Sequence, residues 1–401
     1  MINVFHVGKE LNIKKVIKFI RDKGPISRKE LSDAMDIPQP TITRIIEELL
    51  KEQIIREAGT LPSSRGRRQV LLTLNAQCYY SIGVEIGRTV VKSALVDLEG
   101  NLIQFEVKPT TKAHKIADVI EYLREIPGQL LKQANVDASK LLGVGVGIPG
   151  WLNETKEGYI SPSNFYGETK IPLRAMLEEA IPFPVIIDNN ANVAALAEKW
   201  FGKSRGSTDF VYILADLGIG SGIIVRDNLY RGLSGKAGEI AHTTVDIYGE
   251  PCTCGNYGCL ETLVSIPKVV DRMKKMLKLE GRSELHYFNN DIDTVELEDI
   301  ITAMEKGSIL AKKALEDTGT FLGVGVSNVI QHFAPEMIVI GGRLGTCHPF
   351  LLEQIKKMVA AREMNVFSRK TAIVSSDMKE VIVLGAAAQV IDDSFSLYSL
   401  L

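Results

Sequence analysis

The sequence predicts a mixed α/β protein: a small helical head over residues 1–75, then a larger body of two related α/β lobes. Three observations carry that prediction. Helical periodicity and a basic hairpin fill the first 75 residues, a strand–glycine turn–strand unit occurs twice further on, and the charge is uneven. Residues 1–75 hold 14 Lys and Arg against 9 Asp and Glu, although the 401-residue chain has a net charge of −2. A basic head on an acidic body points to a polyanion met by the head alone. The length fits two or three domains. A content of 45% hydrophobic and 24% charged residues is that of an ordinary globular chain.

No apolar run reaches the ~18–20 residues of a membrane span. The opening Met-Ile-Asn-Val-Phe-His-Val lacks the layout of a signal peptide. A cytoplasmic protein with no membrane partner is expected. Five cysteines in such a chain read as metal ligands or buried thiols rather than disulfides.

In the head, Ile13, Val16, Ile17 and Ile20 have the i, i+3, i+4, i+7 spacing of an amphipathic helix, which Gly24-Pro25 ends. Ser27 and Glu30 form a capping box that opens a second helix. A third helix, from about Gln39 to Glu52, turns Ile42, Ile45, Ile46, Leu49 and Leu50 inward and shows Gln39, Thr41, Thr43 and Arg44 on its other face. Three such helices form a helix-turn-helix whose third helix enters the major groove. Gln and Thr can bond base edges, and Arg44 can read guanine or grip phosphate. Two strand-like runs, residues 54–57 and 70–74, flank a loop that holds Arg65, Arg67 and Arg68. That is a wing, and its arginines suit a narrow minor groove or a phosphate backbone. The rival reading is a helical protein-docking module with a solvated basic loop.

In the body, residues 81–89 run through a glycine turn into residues 90–97, and residues 210–222 repeat the pattern into residues 223–225. Glycines in such turns let backbone approach phosphate. The densest chemical signal is Glu239-Ile240-Ala241-His242 followed by Cys252, Cys254, Cys259 and Glu261. His242, Cys252, Cys254 and Cys259 fit a tetrahedral Cys3His zinc site. With all four positions filled by protein, one Zn2+ per chain would be structural. The alternative is a chance cluster of buried thiols.

At this point the residues resemble the ROK family of bacterial repressors and sugar kinases, over essentially the whole chain. The Cys/His spacing carries the resemblance. So do Gly147-Ile148-Pro149-Gly150, Ser161-Pro162-Ser163-Asn164, Asp188-Asn189-Asn190-Ala191-Asn192, and Gly66-Arg67-Arg68 in the wing. The winged helix resembles the repressor branch, which includes xylose and N-acetylglucosamine repressors. The resemblance implies a two-lobed actin/hexokinase-like (ribonuclease H-like) body. Its first lobe would span residues 76–190, with a C-terminal helix near residues 386–401 packed back on it. The second lobe, residues 191–385, would hold the zinc site and a dimerisation surface. The resemblance also implies a sugar site of Asn164, Asn189, Asn190, Glu239, His242 and Glu261, in which His242 offers one ring nitrogen to the sugar and the other to zinc. Read without the resemblance, Asn164 caps a turn and Glu261 is a solvated helix-start residue.

The departures from the family's kinases matter more than the matches. Asn190 stands where they carry the Asp that deprotonates the sugar hydroxyl, and an amide is no general base. The first phosphate loop would read Asp-x-Gly-Gly-Thr and reads Glu85-Ile86-Gly87-Arg88-Thr89. The second would start with Gly-Thr, replaced here by Asp216-Leu217. Arg88 could neutralise Asp216 or bind the phosphate of a phosphosugar; the sequence leaves both open. Ala241 replaces a usual Gly. The expectation is a non-enzymatic homodimeric repressor of carbohydrate genes. It would bind a palindromic operator and be released by a sugar or sugar phosphate. The rivals are a sugar kinase with a DNA-binding head and a regulator switched by a protein partner.

Overall fold

A computed structural model describes residues 4–61, 69–111, 114–152, 159–166, 168–280, 282–362 and 370–395. The chain forms two units. One comprises residues 1–148, 173–188 and 382–401, and the other residues 149–172 and 189–381.

The head opens the first unit with α1 (Val4–Lys23), β1 (Ile26–Ser27), α2 (Arg28–Met35) and α3 (Gln39–Lys51). The capping box forms as the sequence predicts. The Glu30 N–H donates to Ser27 Oγ at 3.3 Å, and the Ser27 N–H donates to the Glu30 carboxylate at 2.8 Å. Helix α3 carries Pro40 in its first turn, where a missing N–H costs nothing. It buries Ile42, Ile45, Ile46 and Leu49. Each such side chain contributes about 1.5–3 kcal/mol by leaving water, so this stripe fixes which face of α3 remains outside. Strands β2 (Ile55–Leu61) and β3 (Gln69–Leu74) form the predicted hairpin, and the sheet order is β1-β3-β2. Strand β2 outruns the apolar run of residues 54–57 because backbone pairing continues to Leu61↔Gln69. Arg65, Arg67 and Arg68 lie outside the described residues.

The body then begins. Strands β4 (Tyr80–Ile86), β5 (Val90–Asp97) and β6 (Leu102–Pro109) form an antiparallel meander. Helix α4 (Ile116–Ala134) crosses over, and β7 (Leu141–Ile148) returns parallel to β4. The chain leaves this unit for a small sheet of β8 (Trp151–Leu152), β9 (Tyr159–Phe165) and β10 (Glu168–Ile171), then re-enters through α5 (Leu173–Ala180) and β11 (Val185–Asn189). The first large sheet has the order β11-β7-β4-β5-β6.

The second unit continues with α6 (Asn190–Phe201) and the strands β12 (Phe210–Ala215), β13 (Ile219–Val225) and β14 (Asn228–Leu229). Helices α7 (Glu261–Val264), α8 (Ile266–Glu280), α9 (Leu297–Glu305) and α10 (Ile309–Phe333) lead to β15 (Met337–Gly341). Helices α11 (Gly342–Gly345) and α12 (Pro349–Arg362) and strand β16 (Ala372–Ser375) follow. The sheet order is β14-β13-β12-β15-β16, with β13 antiparallel and β15 parallel to β12. Both large sheets therefore share one plan, a meander whose first strand also pairs with a parallel crossover strand. That is the duplication expected from the two strand–glycine turn–strand units. The last element, α13 (Val381–Phe395), returns to the first unit.

Candidate functional site

Strand β13 assembles the candidate site within the second unit. A Cβ on Gly222 would lie 2.5 Å from both the Ala191 carbonyl oxygen and the Ala195 side chain, so α6 rests directly on this strand. That contact sets Asn189 and Asn190 beside it. The next anchor is Ser221, whose hydroxyl donates to the Gly238 carbonyl at 2.7 Å. Gly238 has φ +86, and a Cβ there would meet the Ser221 carbonyl at 2.3 Å, so only glycine fits. The turn it makes leads straight into Glu239 and His242. At the start of the strand, the Ile219 N–H donates to the Glu261 carboxylate at 3.2 Å. The strand's own glycines admit the helix: besides Gly222, a Cβ on Gly220 would lie 2.9 Å from the Ala191 side chain.

The predicted site residues divide by what their polar atoms already do. Asn189 caps α6: its Oδ1 accepts from the Ala191 N–H at 2.8 Å, and its Nδ2 donates to the Gly150 carbonyl at 2.7 Å. Asn190, half-buried in the first turn, has a buried Oδ1 with no hydrogen-bond partner among the described residues. Glu261 opens α7, and the bond from Ile219 gives it a structural partner that the sequence did not reveal. Asn164 lies on β9.

His242 joins two groups. Its Nε2 lies 3.8 Å from Oε2 of Glu239, and its Nδ1 lies 3.6 Å from the Cys252 sulfur. The Cys254 and Cys259 sulfurs are 3.6 Å apart, and one ligand atom from each of the four residues lies within 4.8 Å of the others. A tetrahedral zinc with Zn–S near 2.3 Å needs sulfur–sulfur edges of about 3.8 Å, so the donors fit one ion of this kind. The loop reaches that shape through Gly258, where a Cβ would lie 1.5 Å from the Asp246 carbonyl oxygen, and through Gly255 at φ +94. Ligand spacing alone does not single out Gly258; its place directly before Cys259 is the signal the sequence offers. Burial pushes the Cys259 thiol up to about 12, while the Asn256 backbone N–H lowers that of Cys254. A cation is what would let these sulfurs share one charge state as thiolates.

Asp216 also finds partners in this unit. Its carboxylate accepts the Leu217 N–H at 2.8 Å and the Arg343 N–H at 2.9 Å, while the Arg343 guanidinium bonds Glu298 at 2.7 Å. Backbone donors at the turn after β15 thus face a carboxylate of the chain itself.

On the head, Gln39 and Arg44 are exposed and Thr41 and Thr43 half-buried, all on the N-terminal half of α3 and away from its buried stripe. Among the described residues, no helix is long and apolar enough to cross a membrane.

A winged helix-turn-helix joined to a two-lobed α/β body with a Cys3His cluster defines the class of protein. Residues 81–393 match the ROK family, and residues 10–56 match a winged helix-turn-helix DNA-binding family. The chain belongs to the ROK family. It is 31% identical over 389 residues to the xylose repressor of Caldicellulosiruptor bescii, covering 97% of each chain. It superposes on a ROK family transcriptional regulator, a homologue of the Escherichia coli MLC protein, with TM-score 0.80, 28% identity and 98% coverage of both chains. A ROK glucokinase from Streptomyces griseus shares the fold of the body, with TM-score 0.68, 24% identity, and coverage of 77% of this chain and 98% of that one.

Proposed function

We propose that the protein is a sugar-responsive DNA-binding repressor that does no chemistry on its effector. The head would bind operator DNA through Gln39, Thr41, Thr43 and Arg44 in the major groove and Arg65, Arg67 and Arg68 on the wing. The body would bind a sugar or sugar phosphate through Asn164, Asn189, Asn190, Glu239, His242 and Glu261. Residues 1–75, 76–190 and 191–385 serve as head, first lobe and second lobe. The chain works in the cytoplasm as a homodimer on a palindromic operator, with the dimerisation surface on the second lobe. Zn2+ on His242, Cys252, Cys254 and Cys259 is structural: it would fix the His242 ring so that Nε2 remains for Glu239 and the sugar.

The observation that carries the sensing half is Asn190. A buried acceptor left without a donor costs about 1–3 kcal/mol, and a sugar hydroxyl is the donor that removes this cost. An amide there, with the Asp216 carboxylate on the Arg343 N–H, supports binding without phosphorylation. The similarity to a xylose repressor makes D-xylose the first effector to try.

The test is a thermal-shift series with D-xylose, D-glucose, N-acetylglucosamine and their phosphates on zinc-loaded protein. Stabilisation should grow as RT ln(1 + [L]/Kd) for one of them, and the same sugar should change operator affinity in fluorescence anisotropy. If no sugar shifts the melt, the sensing assignment fails; ATP-dependent phosphorylation of any of them would favour the kinase rival.

A further inference from the structure

Helix α7 is a single turn, Glu261–Val264, and it carries one of the proposed sugar ligands. One turn gains too little from its own bonds to hold itself, so its position is set by what fastens its ends. The leading end is fixed. Cys259 of the metal cluster comes two residues before Glu261, and Leu260 fills the notch at Gly325 of α10, where a Cβ would lie 2.5 Å from Leu260 Cδ2. The trailing end has a defect that the sequence itself creates. In an α-helix the Leu263 carbonyl would accept the N–H four residues on, but that residue is Pro267, which has none. Ser265, extended at φ −68 and ψ 152, then turns the chain into α8.

Arg272 of α8 takes over that carbonyl. Its Nη2 donates to the Leu263 oxygen, and its Nη1 donates to Thr318 Oγ1 of α10 at 3.0 Å. Thr318 is fully buried and its hydroxyl donates in turn to the Ala314 carbonyl at 2.7 Å, so the acceptor is fixed. The guanidinium carbon lies 5.6 Å from the centre of the Phe321 ring, a third hold. A planar fork with two engaged nitrogens is rigid where a lysine ammonium would swivel. A cation at the C-terminal end of a helix is also favoured by the helix dipole. Helices α7, α8 and α10 thus meet on one side chain.

The fixed turn faces strand β13. Glu261 Oε2 accepts the Ile219 N–H at 3.2 Å, and just past α7 the Ile266 N–H donates to the Asp216 carbonyl at 3.0 Å. These bonds tie α7 to both sides of the turn between β12 and β13. They leave Oε1 of Glu261 as the atom that can accept from a sugar hydroxyl. We propose that Arg272 is the positioning residue for Glu261: by taking the carbonyl that Pro267 leaves without a donor, it fixes α7 and with it the direction in which the carboxylate faces the effector. The proposal rests on the reading of Glu261 as a sugar ligand, but its deciding test uses no sugar.

That test is amide hydrogen exchange on the zinc-loaded full chain, read residue by residue by mass spectrometry with electron-transfer fragmentation. The proteins are wild type, Arg272→Met, Arg272→Lys, Glu261→Ala and the double variant Arg272→Met/Glu261→Ala. Arg272→Met keeps the length of the side chain and removes its donors. It should speed exchange at Ile219 and Ser265 at least tenfold while Tyr212 and Ile340, in the middle of β12 and β15, keep wild-type protection. Arg272→Lys, with the charge and one donor retained, should recover part of that protection. Glu261→Ala removes the acceptor, so Ile219 should exchange fast there and no faster in the double variant, the signature of two residues acting on one bond. Unchanged exchange at Ile219 in Arg272→Met overturns the proposal. So does an equal loss of protection at Tyr212 and Ile340, which would make Arg272 a general brace of the fold, or a further gain in Ile219 exchange in the double variant. Where D-xylose, D-glucose or N-acetylglucosamine stabilises the wild type, its Kd should rise at least tenfold in Arg272→Met, and an unchanged Kd overturns the positioning role. A blank sugar screen leaves the exchange outcomes untouched, so the two readings fail separately.

Discussion

The imidazole of His242 stands between Glu239 and the cysteine cluster, with Nε2 3.8 Å from the Glu239 carboxylate and Nδ1 3.6 Å from the Cys252 sulfur. One ring therefore lies against two groups. Whatever fixes Nδ1 fixes the tautomer, and with it the hydrogen at Nε2 that faces the carboxylate.

The first prediction concerns this ring. Cys254→Ser should lower zinc affinity at least tenfold, since even outer partners of a zinc ligand are worth about 10–100-fold. Bound metal per chain, read by elemental mass spectrometry, should fall from near one towards zero after dialysis against a mild chelator. Protons compete with the metal for thiolates and imidazole, so zinc should stay bound at neutral pH and be released as the pH falls. Full metal retention in Cys254→Ser would contradict a zinc site at this cluster.

The capping box gives a second prediction. Ser27→Ala should destabilise the head by about 1 kcal/mol, seen as a lower melting temperature with unchanged zinc content. Glu30 is held below the usual carboxylate range, chiefly by the Ser27 backbone N–H and then by its hydroxyl. Its contribution is thus complete above the ordinary carboxylate value of about 4.3 and is lost as the pH falls through the lowered one. Glu30→Gln should flatten the acid limb of the head's melting curve in that window.

On DNA, Arg44→Ala should weaken operator binding by about 1–3 kcal/mol and relax selectivity at one base pair. Replacing Arg67 and Arg68 by Ala should weaken specific and non-specific binding together, with the salt slope falling by about one for each phosphate no longer neutralised. Anisotropy titrations at several salt concentrations separate the two patterns.

Gly222→Ala tests how the site is assembled. The new methyl would meet the Ala191 carbonyl oxygen at 2.5 Å, and backbone has little room to yield. Overpacking of this kind costs about 1–3 kcal/mol. Because the start of α6 must move, sugar-induced stabilisation should fall more than the melting temperature of the unliganded protein does.

Asn190→Asp alone should not produce a kinase. The variant regains a carboxylate at that position, yet the Asp216 carboxylate still occupies the Arg343 N–H. ADP release above the background without sugar would contradict that expectation.

Much of this protein is written locally in its sequence. The capping box at Ser27, the buried stripe of α3 and the Cys/His spacing are short-range patterns, and the structure forms all three. Helical period, cap chemistry and metal geometry each depend on residues a few positions apart, so one sequence can specify them. The repeated strand–glycine turn–strand unit likewise announced two sheets of one plan. What no local pattern held was the use of each group once distant segments met. The glycines of β13 read as phosphate-loop residues, and in the structure Gly220 and Gly222 seat α6, because the atom a Cβ would strike belongs to a segment up to 31 positions away. Asp216 read as a replacement in a phosphate loop and a possible partner of Arg88; it is the fold that brings the Arg343 N–H, 127 residues on, to 2.9 Å from its carboxylate. Sequence fixes local conformation through near neighbours, whereas burial and pairing of polar groups depend on the partners that chain topology delivers.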